Sequence, residues 1–251
     1  LITVGNHDKK DPNIRATTQE LYQGLVAKGQ NAFPNVNFDF GEINNYLSRF
    51  FVAGFYYKTF MGIPPFEWGS GTKVWMFFEK IIRKAAGMGK LSRLPDPDHY
   101  EHAHDFCDIL IVGSGPSSIA AAKEAADKKL DVILVEQDSF LGGDQLAEKD
   151  FDFNIIYNEL KNLGVRIMNR TTAFGLYDNC VVGLLERITD HLADPNQFLP
   201  RQRFWTIRAK HILVGSGSLE RHIAFNNNDV PGVMTVNASR HYLNRYGVLT
   251  G

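Results

Sequence analysis

Cysteine is scarce in this chain. So are excess charge, long apolar runs and any patterned set of metal ligands. Only Cys107 and Cys180 occur in 251 residues. Two thiols so far apart exclude a disulfide-stapled scaffold and a Cys-x-x-Cys redox pair, and they fit a reducing, cytoplasmic setting. Lys and Arg number 27 against 28 Asp and Glu, a formal net charge of −1. That balance gives no electrostatic ground for nucleic acid or an anionic membrane surface. No apolar stretch nears the roughly 20 residues of a membrane-spanning helix. The uncharged run Phe50–Tyr57 has eight. No secretory leader pattern is visible.

Histidines and acids are present but unpatterned. His99, His102 and His104 crowd beside Asp105. Their spacing matches no zinc pattern and no thiol pair accompanies them, so a solvated linker is expected there. His211 opens a strand. His222 lies on a loop and His241 on a helix face, neither with a patterned carboxylate. No residue is singled out as a catalytic acid, base or nucleophile.

What the chain does have is the stretch Asp108–Ser118, Asp-Ile-Leu-Ile-Val-Gly-Ser-Gly-Pro-Ser-Ser. Ile109–Val112 has the length of a buried parallel strand. Gly113 and Gly115 follow at once, then a small, helix-tolerant run from Ser117 to Ala126. Strand, glycine turn and helix in that order predict a dinucleotide site. Gly113 permits the tight turn, and Gly115 lets a pyrophosphate approach the backbone. The helix N-terminus points its unpaired N–H groups at that phosphate. Ser118 replaces the third glycine and still allows close helix–strand packing. A second strand, Asp131–Val135, ends in Glu136, placed to accept hydrogen bonds from a ribose 2′-hydroxyl. Its charge favours NAD or FAD over NADP.

The flanks fill in the architecture. Ile2–Gly5 reads as a strand remnant and Thr17–Ala27 as a short amphipathic helix. Residues 33–86 hold ten of the eighteen Phe. That density implies either an internal core or an interface with another domain or subunit. Lys73–Ala86 is an amphipathic helix stopped by Gly87 and Gly89. Residues 91–106, with Pro95 and Pro97, form a linker. Gly142 and Gly143 mark either a second close approach to ligand or an ordinary turn. Phe151–Leu163 is a helix, and Val165–Asn169 a third parallel strand. Thr172–Tyr177, Cys180–Leu185 and Arg203–Ala209 are antiparallel strands. His211–Gly217 returns to the parallel sheet, Asp229–Val233 is a turn, and Thr235–Tyr246 is a helix carrying Arg240 and Arg245. The expected fold class is α/β. It has a Rossmann-like FAD/NAD(P)-binding parallel sheet with an antiparallel insert, after an irregular aromatic-rich segment. The expected domains are 1–90, the remnant of an N-terminal domain, and 107–251, a dinucleotide domain incomplete at its C-terminus. A start at Leu1 and a stop at Gly251 lead us to expect a fragment of a longer protein.

Strand, Gly-x-Gly, helix, strand and Glu, then Leu141-Gly142-Gly143 and Ile212-Leu213-Val214-Gly215-Ser216-Gly217, resemble the flavoproteins with two dinucleotide-binding domains. Four further segments are similar to the alpha subunits of heterotetrameric sarcosine oxidases. They are Asn13–Tyr22, Ala53–Met61, Asp229–Met234 and Tyr242–Gly247. The resemblance implies an oxidoreductase that demethylates sarcosine to glycine with peroxide, passing a one-carbon unit to tetrahydrofolate. It implies NAD at the glycine-rich site, with FAD as the alternative. It implies FAD and FMN on or at the interface with a beta subunit, tetrahydrofolate on a C-terminal region absent here, and gamma and delta subunits as further partners. By the same resemblance, Gly113, Gly115 and Ser117 face the pyrophosphate. Glu136, Gln137 and Asp138 line the adenosine ribose. Gly143 and Asp144 lie beside the diphosphate or ribose, Ala173 offers backbone to adenine, and Gly217 approaches from the returning strand. Two other functions remain open: a self-sufficient FAD- and NAD(P)H-dependent reductase, and a structural subunit whose nucleotide never turns over.

Overall fold

The computed structural model describes residues 1–5, 9–47, 71–228 and 232–250. They divide into two compact units: Leu1–Pro97 with His191–Asp194, and Asp98–Asp190 with Pro195–Gly251.

The first unit holds a three-stranded antiparallel sheet. β1 (Ile2–Gly5) lies between β2 (Lys10–Ile14) and β3 (Ala27–Gly29). The amphipathic helix expected over Thr17–Ala27 does not form. Leu21 and Val26 are exposed, so no apolar face is buried there. The chain turns instead, with the Leu25 N–H on the Tyr22 carbonyl, and pairs as β3. A small hairpin joins β4 (Pro34–Asn35) to β5 (Phe38–Asp39). The later helix, α1, runs Gly71–Ala85. Of the aromatic stretch, Phe33, Phe38, Phe40 and Phe77 are exposed, so the internal-core reading fails for them. Phe38 and Phe40 meet edge-on at 5.0 Å, and the Lys84 ammonium lies over the Phe33 ring. Phe50 to Trp68 lie outside the described residues.

The second unit is a six-stranded sheet in the order β8-β7-β6-β11-β10-β9. The strands are β6 (Tyr100–Val112), β7 (Val132–Val135), β8 (Arg166–Met168), β9 (Thr171–Tyr177), β10 (Val181–Arg187) and β11 (Gln202–Val214). β8, β7, β6 and β11 are parallel; β10 and β9 run antiparallel as the insert. Helices α2 (Pro116–Asp127) and α3 (Phe153–Asn162) follow β6 and β7. The mixed sheet with crossover helices is the Rossmann-like α/β fold.

Two corrections concern β6 and β11. Residues 100–106 are not linker; they are the first half of β6, parallel to β11 from Tyr100 onward. His102 packs its ring against Phe204, 5.1 Å between centroids. The strands expected at Arg203–Ala209 and His211–Gly217 are one strand, β11, which ends at Val214. The alternation of burial along β6 is regular to Cys107 and slips at Asp108. The N–H groups of Asp108 and Ile109 both donate to the Asp131 carbonyl, at 2.9 and 3.1 Å, the mark of a bulge. Cys107 and Leu110, three apart, therefore share one core cluster. β11 slips in step, so Ile207, Ala209 and Ile212 all meet that cluster. The Lys210–Asp108 ion pair, 2.7 Å, sits at the slip.

Both sheet faces are packed. Leu110, Ile133, Val182, Leu184 and Ile207 fill one side; Ile111, Ala122, Leu134, Leu141 and Leu160 fill the other, against α2 and α3. Each large side chain buried this way contributes about 1.5–3 kcal/mol. The unbroken burial of Val132–Val135 identifies β7 as a central strand covered on both faces.

Candidate dinucleotide site

The turn from β6 to α2 is closed from three sides. Gly113 has φ +93°, and a Cβ there would fall 2.5 Å from the Gly215 carbonyl oxygen at the end of β11. Gly215 in turn faces Ser118; a Cβ on Gly215 would lie 2.0 Å from the Ser118 hydroxyl oxygen. Ser118 is fully buried. It therefore does what the third small residue of the motif should do, bringing α2 close to a strand, and the strand is β11.

Gly115 differs. It caps α2 at φ −66°, ψ 172°, a conformation open to any residue. A Cβ there would meet nothing within 4 Å. Neither backbone geometry nor a protein neighbour explains a glycine here. What remains is the open cradle in front of it, at the N-terminus of a twelve-residue helix that no side chain caps. Pro116 occupies the first helical position, where no N–H is needed. Ser117, exposed in that first turn, borders the same cradle. Gly217, at φ +75°, is also open on its Cβ side.

The second glycine pair completes the wall. Gly142 has φ +125°, and its N–H donates to the Ser114 carbonyl and hydroxyl, both at 3.1 Å. Gly143 begins a 3-10 turn, Gly143–Ala147, and a Cβ on it would lie 3.4 Å from Gly115 Cα. Gly142 and Gly143 thus pack directly against the first glycine turn.

Glu136 directly follows β7 and is buried. One carboxylate oxygen accepts from the Ser114 N–H and hydroxyl, the other from the Asp138 N–H at 2.9 Å. Ser114, which sequence reasoning passed over as the spacer of Gly-x-Gly, is the latch between the two glycine turns and this carboxylate. Gln137 and Asp138 are exposed beyond it; the Gln137 carbonyl accepts from Arg187 at 2.8 Å. Ala173 lies on the edge strand β9, opposite Leu184. Its strand is anchored beside the site, because the Thr171 N–H donates to the Glu136 carbonyl at 2.8 Å.

Asp144 turns toward the last helix, α4 (Val236–Tyr246). Its carboxylate accepts from the Asn237 amide and meets His241 Nε2, both at 3.2 Å. The Asn237 hydrogen bond, then the His241 ring, holds the Asp144 carboxyl below the usual carboxylate range. His241 thus has the carboxylate partner that its local sequence did not reveal. Among the described residues no group of His, Cys, Asp or Glu can hold a metal ion, and no helix is long and apolar enough to cross a membrane.

The family model for FAD dependent oxidoreductases matches residues 108–198, which contain both glycine turns, Glu136 and Ala173. The chain is 44% identical over its whole length to sarcosine oxidase subunit alpha of Rhizobium meliloti (strain 1021), of which the match covers 26%. The chain is a relative of sarcosine oxidase subunit alpha. A second relative, sarcosine oxidase subunit alpha of Corynebacterium sp. (strain U-96), is 36% identical over 66% of this chain and 18% of its own length. This chain therefore spans about a quarter or less of the curated relatives it matches. Among solved structures, L-proline dehydrogenase from P. horikoshii is similar at a TM-score of 0.47 and 24% identity, over 65% of this chain and 32% of that one.

Proposed function

We propose that this chain is the dinucleotide-binding part of the alpha subunit of a multi-subunit amine oxidase. The observation that carries the dinucleotide site is Gly115: an unstrained, uncrowded glycine at an uncapped helix N-terminus. Such a cradle admits a diphosphate against bare backbone, where N–H groups and the helix dipole stabilise its charge. Gly113, Gly143 and Gly217 shape the cradle, and Ser117 lies at its rim. Glu136 is placed to receive the adenosine ribose, with Gln137 and Asp138 beyond it and the Ala173 backbone toward the adenine. Glu136 also holds Ser114, so the same carboxylate fixes the turn and meets the sugar.

The nucleotide is NAD, with FAD as the alternative. When bound, it supplies either a hydride-accepting ring or, if it never turns over, a structural wedge. The amine chemistry belongs to the partner chain: sarcosine is oxidised to glycine with peroxide on a beta subunit carrying FAD, with FMN at the interface and gamma and delta subunits completing the assembly. Tetrahydrofolate accepts the one-carbon unit on a later region of this subunit. The names of the relatives support this reading, as do the quoted flank segments, and residues 1–90 then close a preceding domain. A reducing cytoplasm suits the two free thiols.

A self-contained reductase is disfavoured by those same thiols. Cys107 is buried and Cys180 exposed, and they form no redox pair. The experiment is to purify the full-length subunit alone, record its visible spectrum and identify the nucleotide it releases. Colourless protein releasing NAD supports the reading. Yellow protein releasing FAD replaces NAD by FAD, and protein releasing no nucleotide overturns it. Co-expression with a beta subunit and a peroxide assay on sarcosine then tests the substrate.

A further inference from the structure

The double-glycine loop is gripped along one face of α4. Asn237, Arg240, His241, Asn244 and Arg245 recur at helical spacing and all turn to the segment 138–148. The Asn237 amide and the His241 ring take the Asp144 carboxylate. Arg240 pairs with Glu148 and donates to the Asp144 carbonyl at 3.4 Å. Asn244 donates to the Ala147 carbonyl at 2.8 Å, and Arg245 stands 3.8 Å from Asp138. The helix is itself held at its start: Thr235 caps it, and Glu220 accepts from the Asn237 N–H at 3.0 Å.

The charge pattern asks for more than a tether. Asp144 follows the glycine that touches Gly115, Glu148 ends the same 3-10 turn, and Asp138 is bonded through its N–H to Glu136. Uncompensated, those carboxylates repel a diphosphate. Each has a basic group of α4 within 4 Å.

We propose that α4 is a positioning element of the dinucleotide site: Asn237 and His241 turn the Asp144 carboxylate away from the cradle, and Arg240 does the same for Glu148 and neutralises it, leaving the Gly142–Gly143 backbone to face the diphosphate. The proposal rests on the dinucleotide reading above. It makes Arg240 and His241 determinants of affinity without contact to the ligand.

The test uses the full-length subunit freed of nucleotide and titrated calorimetrically with NAD and with FAD. Arg240→Gln is expected to weaken the bound dinucleotide roughly tenfold, the scale of one charge interaction near a protein surface, and more at low salt than at high. Asp144→Asn alone should leave binding equal or tighter. Adding Asp144→Asn to His241→Gln should restore the affinity that His241→Gln loses. A tether without electrostatic function predicts losses that are independent of salt and not rescued by Asp144→Asn, and that result overturns the proposal. Should Arg240→Gln fail to fold, the His241→Gln and Asp144→Asn cycle decides alone. If the unmodified subunit binds neither NAD nor FAD, the dinucleotide reading falls and takes this proposal with it. If it binds and the variants do not differ, only this proposal falls.

Discussion

Ser114 gives both its backbone N–H and its hydroxyl to one oxygen of Glu136, at 3.0 and 2.5 Å. The pair lies 22 residues apart in the chain and is buried. It joins the end of β7 to the turn after β6, and the same hydroxyl oxygen accepts from Gly142. Three loops therefore share one serine. Burial makes the arrangement demanding, because an unsatisfied buried acceptor or donor costs about 1–3 kcal/mol. Ser114→Ala is expected to lower stability by about that amount, measured by urea denaturation. Glu136→Ala should do the same and also empty the nucleotide site; unchanged nucleotide content would move the ribose elsewhere.

Gly113 and Gly115 should fail differently. Gly113→Ala places a Cβ against the Gly215 carbonyl at a positive φ, so it is expected to cost about 1–3 kcal/mol in stability. Gly115→Val meets no protein atom at its Cβ and should leave the melting temperature within a few degrees while abolishing dinucleotide binding. Thermal melts and calorimetric titration of the two variants separate the effects. Equal loss of stability in both would deny that the cradle is kept open for a ligand.

Acid should release α4 from the loop. The folded-state pKa of Asp144 is lowered, chiefly by the Asn237 hydrogen bond, from an ordinary value of 3.8. A lowered acid stabilises the fold while ionised. That contribution is full above the ordinary value and disappears as pH falls below it through the lowered one. Hydrogen exchange of α4 amides is expected to rise in that window before the exchange of β6 and β7. In Asp144→Asn the pH step should vanish.

The two thiols should react in sequence. Burial pushes the Cys107 thiol up to about 11, whereas Cys180 is exposed at the β9–β10 turn. Iodoacetamide at mildly alkaline pH is expected to modify Cys180 in the native protein and Cys107 only after denaturation, read by mass spectrometry of peptides. Because the folded pKa of Cys107 is raised, the stability it carries is full below its ordinary value of 9.0 and is lost as pH climbs through about 11.

The core offers a check on the fold itself. Leu110 is wholly buried in the cluster with Ile133, Leu184 and Ile207. Leu110→Ala should cost about 2–5 kcal/mol, the range for emptying such a site. A cost below 1 kcal/mol in urea denaturation would contradict the packing of β6 between β7 and β11.

Local sequence determined what is local in the physics. Ile109–Ala126 dictated strand, turn and helix, because an apolar run, two glycines and a series of small residues admit few other conformations. Thr235–Tyr246 was legible as a helix, which the structure places at Val236–Tyr246. The first half of β6 was not legible, since its less exposed positions are Glu101, Ala103 and Asp105, and no apolar alternation marks it as a strand. Nor was the unity of β11, whose slip is matched to that of its neighbour. Tertiary structure alone decided which residues meet. Ser114 reaches Glu136, Gly215 leaves room for Gly113 and Ser118, and α4 takes Asp144 from 93 to 97 residues away. Such contacts are set by the crossing of strands and helices in the sheet, and no short-range pattern of residues encodes them.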